Sequence, residues 1–368
     1  MRGSGGSKDG DMRRIKSESV PCRRRALFLL SVFSVFLSSC GWNHADDLSP
    51  SEALHRQHLS DVRVMSWNVK RSSIFPPDGV RHESFVRIVR SIDPDVIALQ
   101  EVLRPRSVEE LTRLMNQFVP LEGGASWQVH AVTDNAIISR HPIRQLGGEA
   151  TVPYPIPEWG LPGFHFGFAA ALVDLPEKLG GADLYVVAMH NKSGAAAEEV
   201  QMRQIQSDSI VRWLRNLRDS DQANALSNNT PFVILGDMNV VPSASMQPLE
   251  TLLSGNIVDE DTYGPDLEID WDGTDLSDAR PSHNALERSY YTWRNDDLPF
   301  APSALDRILF SDSVMSVRHR FVLNTMTMSP DELADRGLQK SDVLYGGNAG
   351  EYDHLPLVAD FAISKESL

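Results

Sequence analysis

The chain has 368 residues, 41% hydrophobic and 23% charged, with a formal net charge of −15, the balance of a soluble globular protein with ample material for a core. Its only cysteines, Cys22 and Cys40, lie near the amino terminus, so the body of the chain has no cysteine nucleophile, no cysteine–zinc site and no disulfide. The acidic balance argues against a broad basic surface for sequence-independent nucleic-acid binding, although bound metal ions can supply positive charge at a site itself.

Arg23, Arg24 and Arg25 precede an apolar run from Ala26 to Leu37, followed by Ser38-Ser39-Cys40-Gly41. A basic segment, a short apolar stretch and small residues make a secretory signal over residues 1–39, too short to span a membrane stably. Leu37-Ser38-Ser39-Cys40 resembles the lipobox of bacterial lipoproteins, which implies lipidation at Cys40 and an exported, membrane-anchored protein on the periplasmic or cell-surface side. Gly41, standing where an aspartate does not, favours the outer membrane. The alternatives are an ordinary signal peptide with an incidental cysteine, or an anchor that is never cut. Several acyl chains would hold the protein firmly, and the mostly polar residues 40–60 would tether it with an end-to-end distance of about 25 Å. From Cys40 onward there are 27 Lys/Arg against 47 Asp/Glu, a net of −20.

From residue 61 to 368 the pattern predicts one α/β domain, with short apolar runs alternating with amphipathic stretches. Predicted strands are Val62–Trp67, Asp95–Leu99, Asn135–Ser139, Phe166–Val173, Leu184–Met189, Phe232–Leu235, Leu305–Phe310 and Leu355–Ile363. Helices are predicted over Val80–Ser91, Ser107–Phe118 and Ala195–Leu217; in the last, Met202, Ile205, Ile210, Trp213, Leu214 and Leu217 share about half the helical circumference. Thr151–Gly163 carries four prolines, Tyr154 and Trp159, and reads as a stiff surface loop or a substrate or lipid contact. Asp259–Asp278 has nine acidic residues in twenty and reads as a solvated loop; Asp270-Trp-Asp272-Gly lacks the ordered ligands of a calcium loop.

Several strands end in polar residues. The first ends at Asn68, the second at Gln100-Glu101, and LYVVAMH ends at His190. FVIL runs into Gly236-Asp237-Met238-Asn239, Asp306 opens the strand LDRILF, and Asp353-His354 lie near the carboxyl terminus. Each has an ordinary reading: a turn at Asp237, Asn239, Asn68 or Asp353, a cap at Glu101, core histidines at His190 and His354, an ion-pair partner at Asp306. Together they form an oxygen-rich set with two histidines, placed where α/β sheets put ligands. Such oxygens suit Mg²⁺ or Mn²⁺, and histidines beside them supply acid/base chemistry near neutral pH, a combination suited to phosphate-ester hydrolysis.

The order SWN, LQEV, HNKSG, GDMN, LDRILF, YDHLP resembles the endonuclease/exonuclease/phosphatase superfamily, which includes deoxyribonuclease I, over about Val62–Ile363. The resemblance implies a four-layer α/β sandwich, two mixed sheets packed face to face with helices outside. It implies Mg²⁺, with Mn²⁺ as substitute, held by Glu101, Asn68 and Asp353. It places His354 on the scissile phosphate, oriented by Asp306, Asp237 and Asn239 on the water and a phosphate oxygen, and His190 as a second acid/base or phosphate contact. The abasic-site endonuclease branch usually has tyrosine at that last position. The deoxyribonuclease disulfide has no counterpart here.

The expected function is a Mg²⁺-dependent phosphodiesterase or endonuclease-like hydrolase. The alternatives are a sphingomyelinase- or inositol-phosphatase-like enzyme acting on lipid head groups or small phosphoesters, and an inactive surface lipoprotein acting as a binding module. The substrate is a phosphate ester, whether nucleic acid, phospholipid head group or small phosphodiester. The membrane is reached through Cys40, and no obligate protein partner is implied.

Overall fold

A computed structural model describes residues 54–103, 106–150, 167–220, 225–241, 243–284 and 289–364. The signal segment, Cys40 and the proline-rich stretch Thr151–Gly163 lie outside these residues. Among the described residues no helix is long and apolar enough to cross a membrane.

Two six-stranded sheets carry the fold. The first runs β12 (Met315–Val322), β14 (Leu357–Ile363), β1 (Val62–Asn68), β2 (Val96–Gln100), β4 (Asn135–Ser139), β3 (Gln128–Val132). The second runs β5 (Ile143–Glu149), β6 (Phe168–Asp174), β7 (Asp183–His190), β8 (Phe232–Asp237), β11 (Asp306–Phe310), β9 (Ser277–Asp278). A separate antiparallel pair joins β10 (Trp293–Asn295) to β13 (Glu351–His354). Each large sheet is antiparallel except for one parallel pair, β1–β2 and β7–β8. A parallel pair needs a crossover, supplied by α1 (His82–Ile92) and α3 (Ala197–Arg218) respectively. The remaining helices are α2 (Val108–Phe118), α4 (Gln247–Ser254), α5 (Glu260–Tyr263) and α6 (Pro330–Asp335).

Side-chain alternation explains the layers. In β6 to β8, Ala169, Ala171, Val186, Ala188, Val233 and Leu235 join the core shared with the first sheet. Their neighbours Phe168, Ala170, Val187, Phe232 and Ile234 pack instead with Met202, Ile205, Ile210 and Leu214 of α3. Strands buried on both faces read as continuous apolar runs, which is why they stand out in the sequence. Burying a side chain such as Leu235 completely stabilises the fold by about 1.5–3 kcal/mol. On the other side α1 and α2 contribute Phe85, Ile88, Leu111 and Met115 to the shared core. The arrangement is the expected α/β/β/α sandwich.

The predicted helices form within two residues of their expected limits; Ser107 caps α2 through Glu110 N while Glu110 answers to Ser107 N. Strands β3, β5, β9, β10 and β12 carry no long apolar run, since they lie at sheet edges or in the small pair. In β12 buried and exposed residues are mixed. The expected final strand, Leu355–Ile363, forms as β14 from Leu357, and β13 just before it was not among the expected strands.

Two expectations are corrected. Packing begins before residue 61: Leu54 is buried in the core, and Arg56 bonds Asp95 at 2.6 Å. The acidic stretch is only partly solvated. Asp270 is buried and accepts from Trp271 N, Ser313 N and the Ser313 hydroxyl, while Asp266 accepts from Ile257 N at 2.7 Å. Its carboxylates are used to tie the loop down.

Candidate active site

Both parallel pairs deliver polar residues to their carboxyl ends in matched register. Asn68 is opposite Gln100 in one, and His190 is opposite Asp237 in the other. Asp237 in turn faces Asp306 across β8–β11. Gly236 makes this possible: a Cβ there would meet Met189 O at 1.9 Å, so only glycine lets β7 and β8 approach as they do. Glu101 and Asn239 have positive φ of 56° and 48° just past β2 and β8, and Asp353 has 55° within β13. Backbone in that region costs about 1–3 kcal/mol and clusters at functional sites.

The sheets meet through Asn68. Its Nδ2 donates to Glu101 Oε1 and to Asp237 Oδ2, both at 3.1 Å, and its Oδ1 accepts from Lys70 N. Glu101 Oε2 accepts from Arg71 N at 3.2 Å. Asp237, buried, receives Asn239 N on its other oxygen, and the Asn239 side chain donates to Asn191 O at 2.8 Å.

Both histidines converge on Asp237 Oδ2, His354 Nε2 at 3.4 Å and His190 Nε2 at 3.6 Å. His354 Nδ1 donates to Asp306 Oδ2 at 2.8 Å, and the Thr292 hydroxyl donates to the same oxygen at 2.5 Å. Burial works against a charged imidazole, but Asp306 and Asp237 more than offset it and raise the His354 pKa to about 10. His190 is likewise opposed by burial and raised to about 9 by Asp134, whose Oδ2 lies 3.7 Å from Nδ1, and by Asp237 and Glu101. Burial pushes the Asp306 carboxyl up, and the charged His354 pulls it down. With its pKa near 10, the His354 imidazole keeps its proton at neutral pH.

On the other side, Lys70 Nζ bonds Glu351 Oε1 at 2.7 Å, lies 3.7 Å from Asp353 Oδ1, and sits over the Tyr345 ring. Asp353 Oδ2 is buried without a hydrogen-bond partner among the described residues. Glu101, Asn68 and Asp353 offer only oxygen ligands, the chemistry of a hard cation. Ligand atoms of Asp237, Asp306 and His354 also lie within 4.8 Å of one another, a grouping able to hold a metal ion. There, however, Asp306 Oδ2 and His354 Nδ1 are committed to each other, which favours a proton-carrying pair.

All eight residues expected from the sequence lie in or beside this arrangement. Seven are joined by direct contacts through Asn68, Asp237 and the two histidines; Asp353 instead contacts Lys70. Sequence reading missed Asp134 and Thr292, the side-chain partners of His190 and Asp306. Asp134 precedes β4 in a Thr-Asp-Asn turn, and Thr292 precedes a three-residue strand, so neither carries a local signal. Lys70, two residues after Asn68, was equally silent.

The endonuclease/exonuclease/phosphatase family profile matches residues 65–327. No curated protein matches the chain. Among solved structures, the human Nocturnin catalytic domain with bound sulfate anion is similar at 16% identity and a TM-score of 0.50, over 83% of this chain and 95% of that one. TDP2 from Caenorhabditis elegans is similar at 15% and 0.50, over 82% and 74%. The endonuclease/exonuclease/phosphatase from Bacteroides vulgatus is similar at 14% and 0.50, over 83% and 99%. At these identities the likeness shows the fold: two mixed sheets with flanking helices.

Proposed function

Because the chain belongs to the endonuclease/exonuclease/phosphatase family, we propose that it is a Mg²⁺-dependent phosphoesterase of the phosphodiesterase type. The observation that carries this reading is the buried Asp306–His354–Asp237 sequence of contacts, which places a charged imidazole against a second carboxylate at a strand end. A binding module has no use for so costly a buried array, since each buried charge must be paired to be tolerated.

Glu101, Asn68 and Asp353 would hold the cation. When bound, it neutralises phosphate charge and polarises the P–O bond. Asp237 accepts a hydrogen bond from the attacking water and aligns it. His354, held by Asp306 and Thr292, presents Nε2–H to a non-bridging phosphate oxygen and stabilises the charge that develops there. Asn239 fixes the Asp237 turn and stands beside the same phosphate. His190, charged and backed by Asp134, supplies a second donor.

The amino-terminal features support a second part of the reading: residues 1–39 as an export signal and Cys40 as a lipidated anchor on the periplasmic or cell-surface side. Mass spectrometry of the mature amino terminus tests it, a diacylated or triacylated Cys40 being the expected result.

The test of the chemistry is hydrolysis of bis-p-nitrophenyl phosphate by the domain from Leu54, with Mg²⁺ or with chelator. Mg²⁺-dependent turnover that disappears in His354→Ala is expected. Equal rates for both proteins, with native circular dichroism, would overturn the assignment of His354.

A further inference from the structure

Beside the His354–Asp306 pair lies a cavity of about 420 Å³ that the chemistry above leaves unused. Thr292 and Asp306 form part of its wall, and Arg280, Arg307, Arg320 and Tyr290 also line it. Three guanidiniums around one hollow are unexpected where residues 40–368 carry 27 basic against 47 acidic side chains. Among the described residues they are not fully cancelled. Arg307 and Arg280 share one carboxylate, Asp278, at 3.2 and 3.6 Å. Arg320 is exposed and has no ion pair among the described residues. Asp306 is already matched by His354. Arg307 Nε is buried without a hydrogen-bond partner among the described residues, and a buried donor of that kind calls for an acceptor.

We infer that this cavity is a subsite for a phosphate-type dianion, an inference that rests on the phosphoesterase reading and narrows its substrate class. Guanidinium forks match phosphate oxygens in pairs, and Tyr290, whose side chain carries a neutral hydroxyl donor, lines the same hollow. The volume falls within the range of small-molecule sites, large enough for a phosphate and the group that carries it. The dianion is either a second phosphate of a substrate whose scissile phosphate lies against His354, or free inorganic phosphate. A monophosphate diester with apolar arms leaves the subsite unused.

Two measurements on the full chain test this. In the first, inorganic phosphate is titrated calorimetrically in chelator into the wild type and Arg280→Gln/Arg320→Gln, thermal midpoints confirming that both are folded. Saturable binding weakened tenfold or more in the double variant is expected, with partial recovery in Arg280→Lys/Arg320→Lys. Equal affinities, or no binding by the wild type, overturn the site. In the second, KM is compared for bis-p-nitrophenyl phosphate and for a dinucleotide with and without a terminal phosphate. A tenfold rise confined to the terminally phosphorylated substrate assigns the subsite to substrate. Unchanged KM with lost phosphate binding assigns it to free phosphate. Retained phosphate binding by a wild type that hydrolyses nothing would sink the phosphoesterase reading and leave the anion site standing.

Discussion

His354 Nδ1 lies 2.8 Å from Asp306 Oδ2, so an imidazole on the two-stranded β10–β13 pair is fixed by a carboxylate from the second large sheet. His354 ends β13, beside the strands of the first sheet, whereas Asp306 opens β11 of the second. The site is therefore a product of sheet packing, and its chemistry is sensitive to that one contact.

Asp306→Asn keeps the shape and removes the counter-charge. The His354 pKa should fall from about 10 towards an ordinary histidine value, and turnover should drop by about 10²–10⁴-fold, the scale of a lost acid/base group. Proton NMR titration of the imidazole in chelator, alongside kcat, checks both. An unmoved titration would show that Asp306 does not hold the charge.

Glu101→Gln should act on the cation instead. It preserves the hydrogen bond from Asn68 Nδ2 but weakens a carboxylate ligand. Mg²⁺ affinity measured by calorimetry should fall tenfold or more, with the activity at saturating Mg²⁺ falling less than in Asp306→Asn. Unchanged Mg²⁺ affinity would move the metal elsewhere.

The two histidines also predict a pH dependence of stability. Their folded-state values, about 9 for His190 and about 10 for His354, exceed the ordinary value near 6.5. The stabilisation is thus fully present below about pH 6.5 and is lost as pH rises through 9 and 10. In chelator, the thermal midpoint of the wild type should decline across that interval more steeply than that of His190→Gln. Parallel curves would remove His190 from the account.

A fourth prediction concerns the frame. Arg63 and Asp360 pair through two hydrogen bonds of 2.6 and 2.7 Å across β1–β14, both fully buried. Arg63→Met strands a buried carboxylate and should cost about 3–5 kcal/mol in urea unfolding. Arg63→Met/Asp360→Leu should recover part of it, because the apolar pair leaves no stranded charge, although Leu54 O and Ile92 O lose their donor. A double variant as unstable as the single one would locate the loss in packing instead.

Much of the frame was legible in the chain. Asn68, Glu101, His190, Asp237 and Asn239 stand at the ends of short, continuous apolar runs, and such runs read as strands buried on both faces. The edges were not legible: β12 mixes buried and exposed residues, and β10 and β13 are held by pairing with each other. Asp134 and Thr292 were invisible for a related reason. A turn aspartate and a loop threonine acquire a role only when another element is brought beside them.

The sequence by itself determined which residue types reach the strand ends, because a continuous apolar run and the glycine at 236 are features of neighbours along the chain. Only the tertiary structure decided that His354 meets Asp306 through Nδ1 and Asp237 through Nε2, that Lys70 stands beside Asp353, and that three arginines surround one hollow. Hydrogen bonds and ion pairs change sharply over a few tenths of an ångström, and such distances are set by the packing of two sheets whose contacting residues lie far apart in the chain.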